Sequence, residues 1–169
     1  IEAGQATFRA LIMLLCSIPG VGTLAAVVIL SEIGRDMSRF PTAGHLLAWA
    51  GLCPGQNESA GKRKSSRLRK GAPWLKTCSS MRLGSQPKQD SYYKAQFSRL
   101  KARRGPKKAI CAVAASILTA IYHMLVHDVP YKDLGGQYFD RRDKNRLAQR
   151  LIRRLEDLGV HVEVTAPAA

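Results

Sequence analysis

Acid is scarce in this 169-residue sequence: 12 Asp and Glu stand against 27 Lys and Arg, a net charge of +15. The deficit is local. Residues 1–60 hold three Lys/Arg against four acids, and residues 128–169 hold eight against seven. Residues 61–127 hold sixteen against one, Asp90. A cationic excess confined to the middle of a chain points to a polyanion-binding surface, because charge serving solubility alone would be spread more evenly. The same scarcity leaves no group of three or four carboxylates to build a two-metal nuclease centre.

Other absences narrow the field further. The four cysteines, Cys16, Cys53, Cys78 and Cys111, have no CxxC spacing, so buried cytosolic thiols are expected rather than disulfides or a zinc site. No basic segment precedes an apolar stretch in the manner of a signal peptide, and Ile1 is not a start residue. The chain reads as a fragment or the C-terminal part of something longer, located in the cytoplasm and on the nucleoid when DNA is bound. The apolar runs near 24–33 and 109–125 read as too short or too interrupted to span a bilayer, and no membrane partner is expected. Gly20-Val21-Gly22 is not a P-loop, since no Gly-Lys-Ser/Thr follows. His123 and His127 stand four apart beside Asp128, but no third ligand has matching spacing, so they read as ordinary helix-end histidines and no metal is expected in this chain.

What is present is mainly helical: a compact multi-helix domain with a basic loop and a short irregular C-terminal tail. Phe8, Leu11, Ile12, Leu15 and Cys16 recur at helical spacing over 5–17. Pro19 stops that helix, Gly20 and Gly22 permit a tight turn, and Thr23 is placed to cap an apolar helix that Gly34 ends. Such an αα-hairpin (5–34) presents backbone N–H groups at a helix N-terminus, an anion site, and is similar to the helix-hairpin-helix DNA-binding motif. A short helix runs from Pro41-Thr42 to Trp49. Ser91 to Arg104 reads as another, broken by Gly105-Pro106, and 107–126 is the clearest core helix. Residues 128–169 form a helical extension of the same domain. In its helix, 140–158, Leu147, Leu151, Leu155 and Leu158 are expected to face inward. Val160 to Val164 reads as an edge strand or a disordered tail.

The loop 49–70 concentrates the chemistry. It breaks at Pro54-Gly55, carries Glu58 and Ser59 before Ala60-Gly61, then delivers Lys62, Arg63, Lys64, Arg67, Arg69 and Lys70. A serine hydroxyl attacks poorly unless it is positioned and the charge developing on the phosphoryl oxygens is stabilised, which these cations can do. Ser65 and Ser66 qualify on the same terms, and Glu58 is placed to act as a general base or a metal ligand, or simply to balance the basic run. A second basic cluster comprises Lys101, Arg103, Arg104, Lys107 and Lys108. Such contacts give affinity and salt dependence rather than sequence reading.

Five motifs occur in order: Leu-Cys-Ser-Ile-Pro-Gly-Val-Gly-Thr (15–23), Ser-Glu-Ile-Gly-Arg-Asp (31–36), Arg-Phe-Pro-Thr-Ala-Gly-His-Leu (39–46), Ala-Trp-Ala-Gly-Leu-Cys-Pro-Gly (48–55) and Glu-Ser-Ala-Gly-Lys (58–62). With Tyr-Phe-Asp-Arg-Arg (138–142) they resemble the C-terminal transposase domain of insertion-sequence elements of the IS-one-ten family. The resemblance implies a recombinase guided by a structured bridge RNA, in which a serine, here Ser59, attacks a DNA phosphodiester. It further implies a resolvase-like N-terminal domain, absent here, whose four acidic residues hold magnesium. The expected partners are DNA, a guide RNA and further copies of the full-length protein, and this stretch alone is expected to be inactive. The alternative is a non-catalytic helix-hairpin-helix module whose Ser59 is structural.

The sequence departs from that family at 77–87, where an apolar helix gives way to poor helix formers, a Gly and a Pro. With permitted codons for Thr77, Ser79 and Ser80, reading one base earlier turns Cys78 to Arg82 into Leu-Leu-Val-His-Ala. We take this as a hypothesis of a local frameshift, which codons forbidding the shifted reading would sink.

Overall fold

A computed structural model describes residues 2–53, 57–65, 71 and 90–161. Cys78, Arg67, Arg69, Lys70 and the stretch 77–87 lie outside them. The architecture is mainly α. Helix α1 (Glu2–Cys16) is followed by α2 (Thr23–Ile33), a 3-10 turn (Met37–Arg39) and α3 (Ala43–Trp49). Two short strands, β1 (Asn57–Ser59) and β2 (Lys62–Ser65), come next. The rest is α4 (Tyr92–Arg104), α5 (Pro106–His127), α6 (Tyr138–Arg142) and α7 (Lys144–Glu156).

Helix α5 is the axis of the core. Its apolar positions recur every three or four residues, and Val113, Ala114, Ile117, Leu118, Ile121 and Met124 are buried. Against them pack α4 along one side, α3 along another and, less extensively, α1. Leu11, Leu15 and Ile18 from the α1 arm and Ala26, Ile29, Leu30 and Ile33 from α2 complete one continuous cluster. Each fully buried Leu, Ile or Val contributes about 1.5–3 kcal/mol relative to exposure. At 22 residues α5 is in fact long and apolar enough to cross a membrane by composition, contrary to the expectation for 109–125. Its burial against three other helices is that of a core helix.

The helix ends follow local chemistry. Ser91 caps α4, its hydroxyl accepting from the Lys94 N–H at 3.4 Å, and Pro106 opens α5 in the first turn, where a missing N–H costs nothing. Thr42 occupies the N-cap of α3 without a side-chain bond to the helix backbone, and its hydroxyl instead meets His45 Nδ1 at 2.8 Å. Asp36 starts the 3-10 turn: the Ser38 backbone N–H and hydroxyl, donating at 2.9 and 2.8 Å, hold its carboxyl below the usual carboxylate range. One expected cap moves. Gly22 occupies the N-cap of α2 and Thr23 is already its first helical residue.

The connection 128–137 straps the domain together. The Ser17 hydroxyl donates to the Leu14 carbonyl at 2.7 Å and accepts from the Tyr131 N–H at 3.0 Å, tying the strap to the end of α1. Asp133 Oδ1 accepts from the Tyr92 N–H at 3.1 Å, placing a carboxylate at the positive end of α4. Tyr93, buried, stacks on Tyr131 at 5.5 Å and donates its hydroxyl to it. Burial, then the neighbouring Tyr131, pushes the Tyr93 phenol well above the ordinary tyrosine range.

Two expectations fail at the C-terminal end. The helix foreseen over 140–158 is interrupted at Asp143, giving α6 and α7. Three of the four leucines of this stretch do not face inward: Leu151, Leu155 and Leu158 are 51, 39 and 73% exposed, whereas Leu147 is half-buried. Beyond α6, α7 has no extensive helix contact among the described residues. Periodicity identified an apolar stripe correctly, but a stripe specifies only that something apolar suits it, not that this chain supplies it. Cys16, Cys53 and Cys111 are free thiols of intermediate exposure rather than buried ones.

Candidate nucleic-acid interface and the serine hairpin

The basic loop contains a β-hairpin that the composition does not announce. Asn57 is the Cα partner of Ser65, Glu58 of Arg63 and Ser59 of Lys62, with a register irregularity between Asn57 and Glu58. The strands are joined by Ala60 and Gly61, both at positive φ (52° and 72°). Positive φ at both central residues is the signature of the type I′ turn, whose twist matches that of the flanking strands. Glycine accepts that conformation freely, whereas alanine in it carries about 1–2 kcal/mol of steric cost. Ser59 therefore sits at the last position before a strained two-residue turn, in register with a cation. Glu58 is in register with Arg63.

The base of this excursion is pinned. Leu52 is buried and its N–H donates to the Leu47 carbonyl at 3.0 Å. Where the chain returns, Gly71 lies so close to Gly51 and Ala50 that a Cβ on it would run into their backbone. Gly51 itself takes φ 69°. Two glycines thus bring the ends of an 18-residue basic excursion (53–70) together on the end of α3.

The candidate binding residues fall into separate places. In the α1–α2 turn, Gly20 takes φ +92° and Gly22 is extended, its carbonyl accepting from the Ala26 N–H at 2.9 Å. Val21 is not a free donor, because its N–H is committed to the Ile18 carbonyl at 3.0 Å. The N–H groups without helical partners at this end are those of Thr23, Leu24 and Ala25, in the first turn of α2. Arg103, Arg104, Lys107 and Lys108 do come together, all exposed, around Gly105 at the α4–α5 junction. On α4 the two arginines complement the negative helix end, whereas Lys107 and Lys108 stand at the positive end of α5, where cations are disfavoured unless an anion is supplied. Lys62 is exposed at the hairpin; for Arg63 and Lys64 the backbone of β2 is what is described. Among the described residues, no hydrogen bond joins the turn, the hairpin and the junction to one another.

Sequence reading missed a third place. A groove of about 660 Å³ between α4 and α7 is lined by Arg99, Arg103, Arg150 and Arg153, with Phe139 and the carboxylates of Asp140 and Asp143. The signal was available, since Arg99/Arg103 are spaced i, i+4 and Arg150/Arg153 i, i+3. What could not be read was that α6 turns the chain so that the two pairs meet.

Among the described residues no three His, Cys, Asp or Glu side chains form a metal-binding group. The His123 and His127 rings lie parallel, 6.0 Å apart.

Residues 12–81 match the family model of the IS116/IS110/IS902 transposases. The chain is also 32% identical over 118 residues to an uncharacterized 43.6 kDa protein of insertion element IS110 from Streptomyces coelicolor. That alignment takes in 66% of this chain and 28% of the relative, so the chain spans little more than a quarter of the curated relative's length. The transposase match is thus at family level. It runs from α1 through the hairpin and includes Gly20–Gly22 and Ser59, whereas the α4–α5 junction, α6 and α7 lie beyond it.

Proposed function

We propose that this chain is the DNA-binding, serine-bearing part of an insertion-sequence transposase. The observation that carries the proposal is the position of Ser59: within the transposase match, at the end of β1 and in register with Lys62 beside a strained turn. The Ser59 hydroxyl attacks a DNA phosphodiester. An Oγ–P bond forms, the bond from phosphorus to one deoxyribose oxygen breaks, and that oxygen leaves as a hydroxyl with a proton. The hydroxyl proton of Ser59 passes to a base, in the simplest case water, since consecutive residues of a strand such as Glu58 and Ser59 project to opposite faces. Lys62, Arg63 and Lys64 offset charge developing on the phosphoryl oxygens, the kind of stabilisation that supplies most of the rate in such reactions. The product is a phosphoserine link that conserves the bond energy for rejoining. Magnesium chemistry and the pairing with a guide RNA belong, on this reading, to parts of the full-length protein outside this stretch. Assembly into an oligomer does too.

The test is a covalent protein–DNA adduct assay on the full-length protein with its guide RNA. Ser59→Ala is expected to abolish the adduct and leave DNA binding within about twofold, since one hydroxyl among many phosphate contacts adds little affinity. An adduct that persists in Ser59→Ala moves the role to Ser65 or Ser66.

One observation favours a second reading, a binding module without catalysis: the free N–H groups of Thr23, Leu24 and Ala25 follow the Gly20 turn, as a helix-hairpin-helix phosphate grip requires. On that reading no serine variant alters an adduct, because none forms, while binding still weakens steeply with salt.

A further inference from the structure

The groove between α4 and α7 belongs to neither the hairpin nor the α1–α2 turn, and its lining lies beyond the family match. Four guanidiniums reach it from two different elements: Arg99 and Arg103 from α4, Arg150 and Arg153 from α7. Its floor is built. Phe139 stacks on Tyr92 with ring centroids 5.1 Å apart and planes 25° from parallel, and the Arg99 guanidinium lies 4.9 Å over the same Phe139 ring. Tyr138 packs edge-on against Tyr92 at 5.3 Å. An aromatic column with a guanidinium plane on it is the kind of platform on which nucleobases stack.

Three observations narrow the occupant. The cations exceed the carboxylates in the lining by four to two, so the groove selects an anion. Asp140 and Asp143 nevertheless sit among the cations, which disfavours a ligand that is phosphate on every side and suits one that also presents amino groups, as base edges do. A volume of about 660 Å³ is that of a small-ligand site, which admits a short run of nucleotides and not a duplex. Arg103 is shared with the Arg104, Lys107 and Lys108 junction, so a strand leaving the groove meets further cations at once.

We propose that this groove binds a single strand of nucleic acid, its phosphates held by Arg99, Arg103, Arg150 and Arg153 and a base stacked over the Phe139 platform. The proposal rests on the nucleic-acid-binding reading above but not on Ser59 being a nucleophile. It gives the C-terminal extension a function: to carry the second pair of arginines to the groove.

The test is fluorescence anisotropy with short labelled single strands of DNA and RNA, and with a duplex of the same sequence, across a salt series. The variants are Arg150→Ala with Arg153→Ala, both on the exposed part of α7 where folding is insensitive, and Lys107→Ala with Lys108→Ala as a comparison outside the groove. The α7 pair is expected to weaken single-strand binding about tenfold and to reduce the salt slope by about 0.7 for each phosphate no longer neutralised, with duplex binding less affected. Arg99→Lys keeps the charge but removes the stacking plane, and is expected to erode the preference for single strands. If the α7 variant leaves single-strand affinity and slope unchanged while the Lys107/Lys108 variant weakens binding, the groove proposal is overturned and the nucleic-acid reading stands. Equal losses for duplex and single strand overturn the choice of occupant. A wild-type chain that binds none of the three overturns both readings.

Discussion

Ala60 carries more information than any other residue in the hairpin after Ser59. A type I′ turn asks for Asn-Gly or Gly-Gly, and this chain spends an alanine at the first position, at φ 52°. Strain of about 1–3 kcal/mol at a non-glycine positive-φ residue is characteristic of functional sites. Replacing Ala60 by Gly removes the clash, at the cost of a more flexible unfolded loop. The expected net gain is about 1 kcal/mol in the local stability of the hairpin, read as amide exchange of β1 and β2 slowed about fivefold. Unchanged exchange would show that the turn carries no strain. Ser59 itself was legible in the sequence only by its motif. The two strands are three and four residues long and nearly all polar, so no alternation of apolar and polar residues marked them. Ala-Gly is also a far weaker turn signal than Asn-Gly.

At the scale of elements, the helices with strong punctuation were the readable ones. Ser91 before α4 and Gly105-Pro106 between α4 and α5 fixed boundaries to within a residue, because each acts through local backbone chemistry. Helix α7 was readable as a helix and unreadable as a neighbour, since packing depends on where α6 and the strap 128–137 deliver it. The energetic contrast is testable. Ile121 is fully buried in α5, and Ile121→Ala is expected to cost about 2–5 kcal/mol in denaturant unfolding. Leu158→Ala, at a position 73% exposed, is expected to stay within about 0.5 kcal/mol. A cost at Leu158 comparable to that at Ile121 would mean that its face is covered in solution.

For the whole molecule, charge and tyrosine burial set the response to solution conditions. The phenol of Tyr93 is held neutral in the fold chiefly by burial, with a smaller effect in the same direction from Tyr131, and burial likewise raises Tyr131. A group whose folded pKa is raised contributes stability that is fully present below its unfolded pKa, about 10 for tyrosine, and is lost as pH rises through the folded value. Unfolding free energy is therefore expected to fall above about pH 10, by up to about 1.4 kcal/mol per pH unit for Tyr93 alone. Tyr93→Phe should flatten that decline while lowering stability near neutrality, because the hydroxyl bond to Tyr131 is removed. An unaltered alkaline slope in the variant would place the titrating group elsewhere. The cationic surfaces act in another range, through salt, and leave the core untouched.

The meeting of Gly71 with Gly51 has a wider consequence. A chain that leaves a helical body and returns to the same point is attached to it as a graft, and what lies between can be exchanged without re-solving the packing of α1 to α5. Lengthening such an excursion costs little, since doubling a loop adds only about 0.6 kcal/mol of closure entropy. The serine hairpin and its cations can then diverge in length and charge faster than the scaffold that carries them. Selection acting on the nucleic-acid target and selection acting on the fold would fall on different residues of one chain.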